Sequence, residues 1–464
     1  PTHLLGKIFK FGLEAKATVH NASWGKCCID PKSECGGKSG QCASSFKHEP
    51  TYTIADIEID KFSYDNDEFL FFHAAGNDGK VPNAKHDGKI GFKTISEMGI
   101  AKNSITVCSS GGEDGIDVIS DFSSQGPTND GRIKPDLCAP GYDIVSAGNA
   151  QNDDLKCYEL KKSGTSMASP GAAGTALLIR QYFQEGFYPS GIKGKGTKMP
   201  KPSAALIKAV LINGGRKLKQ VQGGDLSEEF DGKQGFGRIS LLDSLPLETK
   251  NDIALYVTDR EPLNKSISQF NRSFSISNSN CNKKDVSVTL VWTDSPAKMG
   301  CTNCLINHLA LSAKKESKAQ KQYFPNGKKK LDGTNNVQRI RFPVTNGEIV
   351  HVQVEVNEKT GGGLDPLNPK QEFSLVVSGC GLKKIKYMSS PSTVPSQSAQ
   401  PSLSTQPSLS PMLSFLPSPE PSLSSNKPIN KTRKANKKNV LKSTNKNKIK
   451  KASKKAKVTF HDKI

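Results

Sequence analysis

The sequence has few of the features that would place it in a membrane. It contains no run near the roughly 18 apolar residues that a membrane-spanning helix needs, so we predict no membrane span. Hydrophobic residues make up only 34% of the chain. A signal-peptide pattern is also lacking. Because the chain begins with Pro1 rather than Met, we expect its true start to be missing.

Acidic residues are nearly absent from the end of the chain. Residues 426–464 hold 15 Lys or Arg and one acid, Asp462, so they carry +14 of the net charge of +21. A Pro/Ser tract precedes them. We predict a stiff stalk at 385–425 and a disordered tail at 426–464. A solvated tail and a tail that binds anionic polysaccharide or another polyanion both fit. Aromatic residues are missing until Phe460, which does not favour nucleic acid.

Cysteine, in contrast, is plentiful, with 11 residues, and this favours an oxidising compartment. A cluster from Cys27 to Cys42 lies in a stretch with too few apolar residues to pack by itself. A disulfide-stapled loop fits it best, with a zinc site as the alternative, although no His lies within the cluster. We therefore expect an extracellular, cell-surface or secretory-pathway protein.

The first half of the chain alternates strand-like and helix-like segments, which predicts an α/β domain with a parallel sheet. An apolar run at 69–75 follows a segment with helical spacing at 54–62, as expected for a buried parallel strand. Further buried strands are predicted at 104–109 and 144–147, and helices at 171–183 and 203–212.

After about residue 250 the pattern changes to short alternating strands separated by turn residues. This predicts an antiparallel sandwich or jelly roll. The strands are expected at 273–276, 286–292, 337–342, 350–356 and 373–377.

The most informative segment is Ser163-Gly-Thr-Ser-Met-Ala-Ser-Pro170. It puts Ser166 ahead of an apolar helix, where free N–H groups and the helix dipole favour a developing negative charge. A serine hydroxyl is a poor nucleophile without a base, usually a histidine held by a carboxylate. A plain helix cap is the alternative for Gly-Thr-Ser alone, but the full eight residues favour a nucleophile.

Asn77 is the second candidate. It follows the apolar run in Ala74-Ala-Gly-Asn77, where a side-chain amide on a rigid strand end can donate to an oxyanion. Gly76 allows close approach of a substrate backbone. An ordinary Asn-Asp-Gly turn is the alternative.

The order of these motifs resembles that of subtilases, the subtilisin-like serine proteases. Further segments match the family pattern: Ser23-Trp24-Gly25, 122–127, 134–141 and 235–239. The resemblance implies that Ser166 is the nucleophile and Asn77 the oxyanion donor. It also implies that an extended polypeptide substrate binds in a cleft lined by Ser23, Trp24, Gly25, Ala74, Gly76 and Thr165. The reaction that the resemblance implies needs no cofactor.

The same resemblance implies the domain organisation. Residues 1–248 would be the C-terminal part of a catalytic domain, and 249–384 a jelly roll similar to that of certain alkaline subtilases. In that group the motif near 307–311 usually carries acids suited to calcium. Here His308 and Ala310 occupy the acidic positions, so no metal ligand is assigned and a structural calcium ion cannot be inferred.

Two parts of the family's triad are missing from the sequence. Subtilases order the triad as Asp, His, Ser, and neither the Asp motif nor the His-Gly-Thr-His motif is present. His20 and His73 are better explained as structural residues than as bases. We therefore expect a fragment of a serine endopeptidase that is inactive as given. The alternative is a secreted pseudoprotease, or a wall-associated protein that binds peptide or polyanion.

Overall fold

The computed structural model describes the chain in segments. They are residues 2–24, 51–83, 86–112, 115–148, 158–221, 224–225, 230–248, 251–277, 281, 284–316 and 321–385. The cluster from Cys27 to Cys42, the Lys-rich tail and nearly all of the predicted stalk lie outside them. The described segments belong to one compact unit. No helix among them is both long and apolar enough to cross a membrane.

Helices in the described segments surround a central sheet. They are α1 (Thr2–Glu14), α2 (Ile54–Asp65), α3 (Thr165–Gln184), α4 (Ala204–Asn213) and α5 (Leu241–Ser244). The helix predicted at 203–212 is confirmed as α4, and Ser203 caps it by accepting a hydrogen bond from the Leu206 N–H at 3.0 Å. Helix α1 is not predicted by the sequence pattern.

Most strands of the first half form a mainly parallel sheet, as predicted, and the others form two separate two-stranded sheets. They are β1 (Val19–Ala22), β2 (Leu70–Ala74), β3 (Pro82–Asn83), β4 (Lys89–Ile90), β5 (Ile105–Ser110), β6 (Val118–Ile119), β7 (Leu137–Pro140), β8 (Ile144–Ala147), β9 (Glu159–Lys162), β10 (Gln220–Val221) and β11 (Gly224–Asp225). Strands β1, β2, β5 and β7 are successive parallel neighbours.

Helices cover both faces of this sheet, which explains the continuous apolar run of β2. Leu70 and Phe72 pack in the same cluster as α3 and α4. Phe71 points the other way and packs with Phe9 of α1 and Ile59 of α2. Because successive side chains alternate between faces, a strand covered on both sides needs apolar residues at every position.

The prediction of a buried strand at 144–147 is wrong. Strand β8 pairs antiparallel with β9 in a separate two-stranded sheet, and Val145 is 54% exposed. The buried neighbour of β5 is β7 instead, which ends in Pro140. A proline can end a strand without loss of a ladder bond. Because proline is uncommon in strands, the sequence pattern did not predict this one.

The second half forms two antiparallel sheets, as predicted. The strands are β12 (Ile253–Asn264), β13 (Gln269–Ile276), β14 (Asp285–Val291), β15 (Leu309–Lys315), β16 (Gln322–Tyr323), β17 (Val337–Pro343), β18 (Ile349–Val356), β19 (Lys370–Cys380) and β20 (Leu382–Lys384). One sheet has the order β12-β19-β14-β17 and the other β16-β15-β18-β13-β20. Side chains of both sheets share one buried core, among them Val288, Val352 and Phe373. The jelly-roll assignment stays a prediction.

The two halves are joined through α4. This helix packs against β14 and β19 of the first antiparallel sheet. At its end, Asn213 Nδ2 donates to Ser378 Oγ at 2.6 Å and Asn213 Oδ1 accepts from Thr289 Oγ1 at 2.9 Å. The hydrophobic core around α3 and α4 therefore includes sandwich residues such as Val291 and Val376. The predicted domain boundary at 248/249 stays a prediction.

Candidate active site

Ser166 lies in the first turn of α3, as the sequence analysis expected of a serine at a helix N-terminus. The helix begins at Thr165, six residues before the apolar run from which it was predicted, with Gly164 as its N-cap. N–H groups in a first turn have no carbonyl one turn earlier in the helix to bond, so the Ser166 N–H is available to an anion. The side chain of Ser166 is half-buried.

Ser166 and Ser23 bond to each other in both directions. Ser166 Oγ donates to the Ser23 carbonyl at 3.3 Å, and Ser23 Oγ donates to the Ser166 carbonyl at 3.1 Å. The second bond has a local cause. Pro170 lies four residues after Ser166 inside α3 and has no N–H to give to that carbonyl, so the carbonyl is left for Ser23.

The side chain of Asn77 is oriented by Thr165. Asn77 Oδ1 accepts from the Thr165 N–H at 3.0 Å and from Thr165 Oγ1 at 3.1 Å. Because a backbone N–H can only donate, the atom facing it must be the amide oxygen. The amide nitrogen therefore remains as a donor beside the start of α3, 3.8 Å from the position of a Cβ at Gly164.

Gly76 is required by the turn that carries Asn77. Its φ is +107°, and a Cβ there would lie 2.8 Å from Ser124 Oγ. Ser124 cannot easily move, because its Oγ accepts from the Asp78 N–H at 3.0 Å and its own N–H donates to the Gly76 carbonyl. The Gly76 N–H in turn donates to Thr165 Oγ1 at 3.2 Å. Residues 76–78 are thus held between Ser124 and Thr165.

The family model described as Subtilase family matches residues 5–237. The chain belongs to the subtilase family. Residues in the motif positions of the nucleophile and the oxyanion donor therefore lie together in a chain of that family. Their roles in this protein are still predictions.

Three relatives show how much of each protein's length is similar to this chain. The chain is similar to the serine protease/ABC transporter B family protein tagD of Dictyostelium discoideum, with 29% identity over 57% of this chain and 16% of the relative. Minor extracellular protease Vpr of Bacillus subtilis is 35% identical over 31% of this chain and 16% of its own length. C5a peptidase of Streptococcus pyogenes is 42% identical over 22% of this chain and 7% of its own. The chain thus spans about a sixth of the length of the first two.

Among solved structures, the PatG macrocyclase in complex with peptide is similar over 53% of this chain and 55% of its own, at 15% identity and a TM-score of 0.32. Tripeptidyl peptidase 2 covers 81% of this chain and 36% of its own, at 12% identity and a TM-score of 0.29.

The other predicted cleft residues of the subtilase fall in different environments. Trp24 is 47% exposed beside Ser23. Ala74 is buried, and its carbonyl accepts from Ser96 Oγ at 3.1 Å. Gly25 lies outside the described residues.

Sequence reasoning missed a polar link between β1 and α3. Ser169 Oγ donates to Asn21 Oδ1 at 2.6 Å, and Asn21 Nδ2 donates to Ser23 Oγ at 3.1 Å. The chain of bonds ends at the Ser166 carbonyl, so it holds the end of β1 against the first turns of α3. Asn21 in β1 and Ser23 just after it are two residues apart, the spacing of one face of an extended chain, and this spacing was the available signal.

The interpretation of His20 and His73 as structural residues rather than bases stays a prediction. Burial lowers the pKa of His20, whose ring stacks on Phe71 at 5.5 Å between centroids. Burial lowers the pKa of His73 to about 4, and its ring bonds to the Trp24 carbonyl and Ser96. Neither ring is bonded to Ser166 Oγ, whose hydrogen points to a carbonyl that cannot act as a base.

Asp78, next to the candidate oxyanion donor, is a buried carboxyl. It is 6% exposed, and burial raises its pKa to about 7. This carboxyl is therefore partly protonated at neutral pH, and it does not supply a full negative charge to the cleft.

The segment at 134–141 has a structural role in this fold. Asp136 accepts from Lys134 Nζ at 2.5 Å, from the Thr106 N–H at 2.8 Å and from Lys208 Nζ at 2.9 Å. Its carboxylate therefore joins the start of β7 to β5 and α4. Burial, reinforced by the charge of Lys208, lowers the pKa of Lys134 to about 7.

The two positions that usually carry acids for calcium in the related subtilases hold a histidine and an apolar residue in this chain. His308 Nδ1 bonds to the Gly333 carbonyl at 3.1 Å, and Ala310 is fully buried in β15. In the residues that the structure describes, no group of three His, Cys, Asp or Glu side chains is arranged to hold a metal ion. A calcium site of this subtilase stays unassigned.

Proposed function

We propose that this subtilase chain is the nucleophile-bearing part of a serine endopeptidase that acts through an acyl-enzyme on Ser166. The observation that carries the proposal is the link through Thr165. It holds Asn77 at the start of the helix that bears Ser166, with the Asn77 amide nitrogen left as a donor. A serine that only caps a helix needs no asparagine amide held beside it.

The proposed reaction uses two donors for one developing charge. Ser166 Oγ attacks the carbonyl carbon of the scissile peptide bond, and the carbonyl oxygen becomes an oxyanion between the Ser166 N–H and Asn77 Nδ2. Collapse of this intermediate expels the amine, which takes a proton from the conjugate acid of the base. Water, deprotonated by the same base, then attacks the ester; the acyl group leaves as a carboxylic acid, and Ser166 Oγ takes back a proton from the base.

A polypeptide substrate would lie extended between two segments. One is the cleft strand at Ser23 and Trp24, and the other is the strand end from Ala74 to Asn77. Both present main-chain groups at the end of parallel strands, as strand addition requires.

We further propose that the base and its orienting acid come from polypeptide outside these 464 residues. The sequence has neither family motif, and Ser166 Oγ donates to a carbonyl. The chain alone should then be inactive, since an unassisted serine hydroxyl keeps its proton at neutral pH.

A fluorophosphonate probe tests both parts. The chain alone should label slowly or not at all, and the same gene product with its upstream sequence should label stoichiometrically at Ser166. In the longer protein, Ser166→Ala should abolish labelling, whereas Ser163→Ala, at an exposed neighbour, should not. Stoichiometric labelling of the chain alone would show that its base is present. Failure of the longer protein to label would favour the pseudoprotease instead.

The proposed location is extracellular or at the cell surface. Three disulfides in the described segments support it: Cys108–Cys138, Cys281–Cys380 and Cys301–Cys304. Binding of a polyanion by residues 426–464 remains a separate proposal. It predicts that deletion of the tail releases the protein from an anionic polysaccharide matrix, whereas a merely solvated tail predicts no change.

A further inference from the structure

His73 on β2 lies between the two segments proposed to hold the substrate. Its side chain is 1% exposed. Nε2 lies 3.1 Å from the Trp24 carbonyl oxygen, on the cleft strand. Nδ1 lies 3.4 Å from Oγ of Ser96. Ser96 in turn bonds to the other segment, because its Oγ contacts the Ala74 carbonyl at 3.1 Å and its N–H donates to the Ala75 carbonyl at 2.9 Å.

The partners define the tautomer of the ring. A carbonyl oxygen only accepts, so Nε2 must carry the hydrogen that it gives to Trp24. Burial keeps the ring neutral at pH 7, since it lowers the pKa of His73 to about 4. Nδ1 is then an acceptor, and it shares the single hydrogen of the Ser96 hydroxyl with the Ala74 carbonyl.

The bond to Trp24 replaces a missing main-chain bond. The parallel pairing of β1 with β2 ends where Ala22 faces His73. Ser23 and Trp24 lie beyond this pairing, so the ladder does not orient the Trp24 carbonyl. The His73 side chain supplies the donor at this position, directly before the proposed substrate site.

We propose that His73 is a positioning residue that sets the spacing between the cleft strand at Ser23 and Trp24 and the strand end from Ala74 to Asn77. It does so with one ring bonded to Trp24 on one side and to Ser96 on the other. The consequence for substrate rests on the proposed function, but the positioning itself does not.

The effect on catalysis should be selective. The Ser166–Thr165–Asn77 arrangement does not include His73, so the chemical step should change little when the ring is lost. Binding of an extended substrate depends on the spacing of the two segments. Loss of the ring should therefore raise KM by about fivefold to tenfold, the effect of one net hydrogen bond, and change kcat by less than about twofold.

Three variants separate hydrogen bonding from packing. His73→Gln carries an amide nitrogen at about the reach of Nε2, His73→Asn carries one only near Nδ1, and His73→Leu fills much of the space without a donor. The two tryptophans of the full chain give the readout. Trp24 is 47% exposed, whereas Trp292 is fully buried in the sandwich core.

The experiment is fluorine NMR of the full chain labelled with 5-fluorotryptophan, with the Trp24 signal assigned by Trp24→Phe. We expect His73→Leu and His73→Asn to shift and narrow the Trp24 signal, and His73→Gln to restore the wild-type signal. An unchanged Trp292 signal reports that the fold is intact. A Trp24 signal that is unaffected by His73→Leu, or a Gln variant that behaves like Leu, would overturn the proposal.

A second measurement covers variants that fail to fold. In the wild-type chain, long-range proton–nitrogen spectra at pH 7 should show His73 as the neutral tautomer with hydrogen on Nε2. A hydrogen on Nδ1 alone would also overturn the proposal, because Nε2 could then not donate to the Trp24 carbonyl.

The kinetic arm uses fluorescein-casein and the longer gene product that carries its own base. There, His73→Leu should raise KM and His73→Gln should restore it. If the wild-type longer protein does not cleave casein, the proposed function loses its support while the Trp24 signal still decides the role of His73. Equal losses in kcat for all three variants would instead assign a general structural role.

Discussion

Lys102 and Asp294 form an ion pair in which both side chains are fully buried, with Nζ 2.6 Å from Oδ2. Lys102 lies just before β5 of the parallel sheet, and Asp294 lies just after β14 of the sandwich. The ammonium also donates to the carbonyls of Ser295 and, at 2.8 Å, Cys304. Its three donors are thus all used by the sandwich, so one side chain joins the two halves of the chain.

Replacing Lys102 should be strongly destabilising. Lys102→Met leaves the Asp294 carboxylate buried without its cation, so we expect the free energy of unfolding to fall by about 3–5 kcal/mol. Urea unfolding of the full chain measures this. The control is Lys61→Met, which breaks an exposed pair with Asp65 at 2.7 Å and should cost less than about 1 kcal/mol. Similar losses for both variants would contradict the assignment of a buried bond between the halves.

A Cβ at Gly76 should not be tolerated. Gly76→Ala places a methyl group 2.8 Å from Ser124 Oγ at a φ of +107°, so we expect a loss of about 1–3 kcal/mol. Gly174→Ala is the matched control, because Gly174 lies in α3 with open space around its Cβ position. That change should stabilise the chain by up to about 1 kcal/mol. Thermal unfolding compares the two, and a neutral Gly76→Ala would show that the turn has room.

The stabilisation that each disulfide gives should increase with the length of the loop that it closes. Cys281 and Cys380 are 99 residues apart, and their removal as a Ser pair should cost about 4–5 kcal/mol by loop entropy. Cys301 and Cys304 are 3 residues apart, and the same relation gives about 2 kcal/mol. Denaturant unfolding of the two double variants should rank them in that order. The reverse order would mean that local geometry, not loop length, controls their contributions.

Asp78 should make stability fall as pH rises. Its folded pKa of about 7 is above the ordinary value of 3.8, so the folded chain holds the proton more tightly. The stabilisation that this proton contributes is complete below about pH 4 and is lost as the pH rises to about 7. Asp78→Asn removes the loss and should stabilise the chain by up to about 4 kcal/mol at pH 8, with little effect at pH 4. Unfolding at both pH values tests this, with Asp87→Asn on an exposed loop as the control. An equal effect at both pH values would exclude titration of Asp78 as the cause.

Local pattern was sufficient for much of the fold. The apolar runs of β2 and α4 are visible in the sequence because burial on both faces of a strand, or all around a helix, favours apolar residues at most positions. Strand β8 was misassigned because a short apolar run looks the same whether it pairs in a core or in an exposed hairpin. Strand β7 was missed because four residues ending in proline carry little periodic signal.

By itself, the sequence determined the candidate chemistry: a serine before a helix, an asparagine after a buried strand, and their family order. Only the tertiary structure decided how these parts meet. Thr165 and Asn77 are 88 residues apart, and their contact orients the amide. His73 and Trp24 are 49 residues apart, and their bond is visible only after β1 and β2 pair. Residue types and spacing encode local conformation, whereas the direction of a hydrogen bond depends on which distant segments the core brings together.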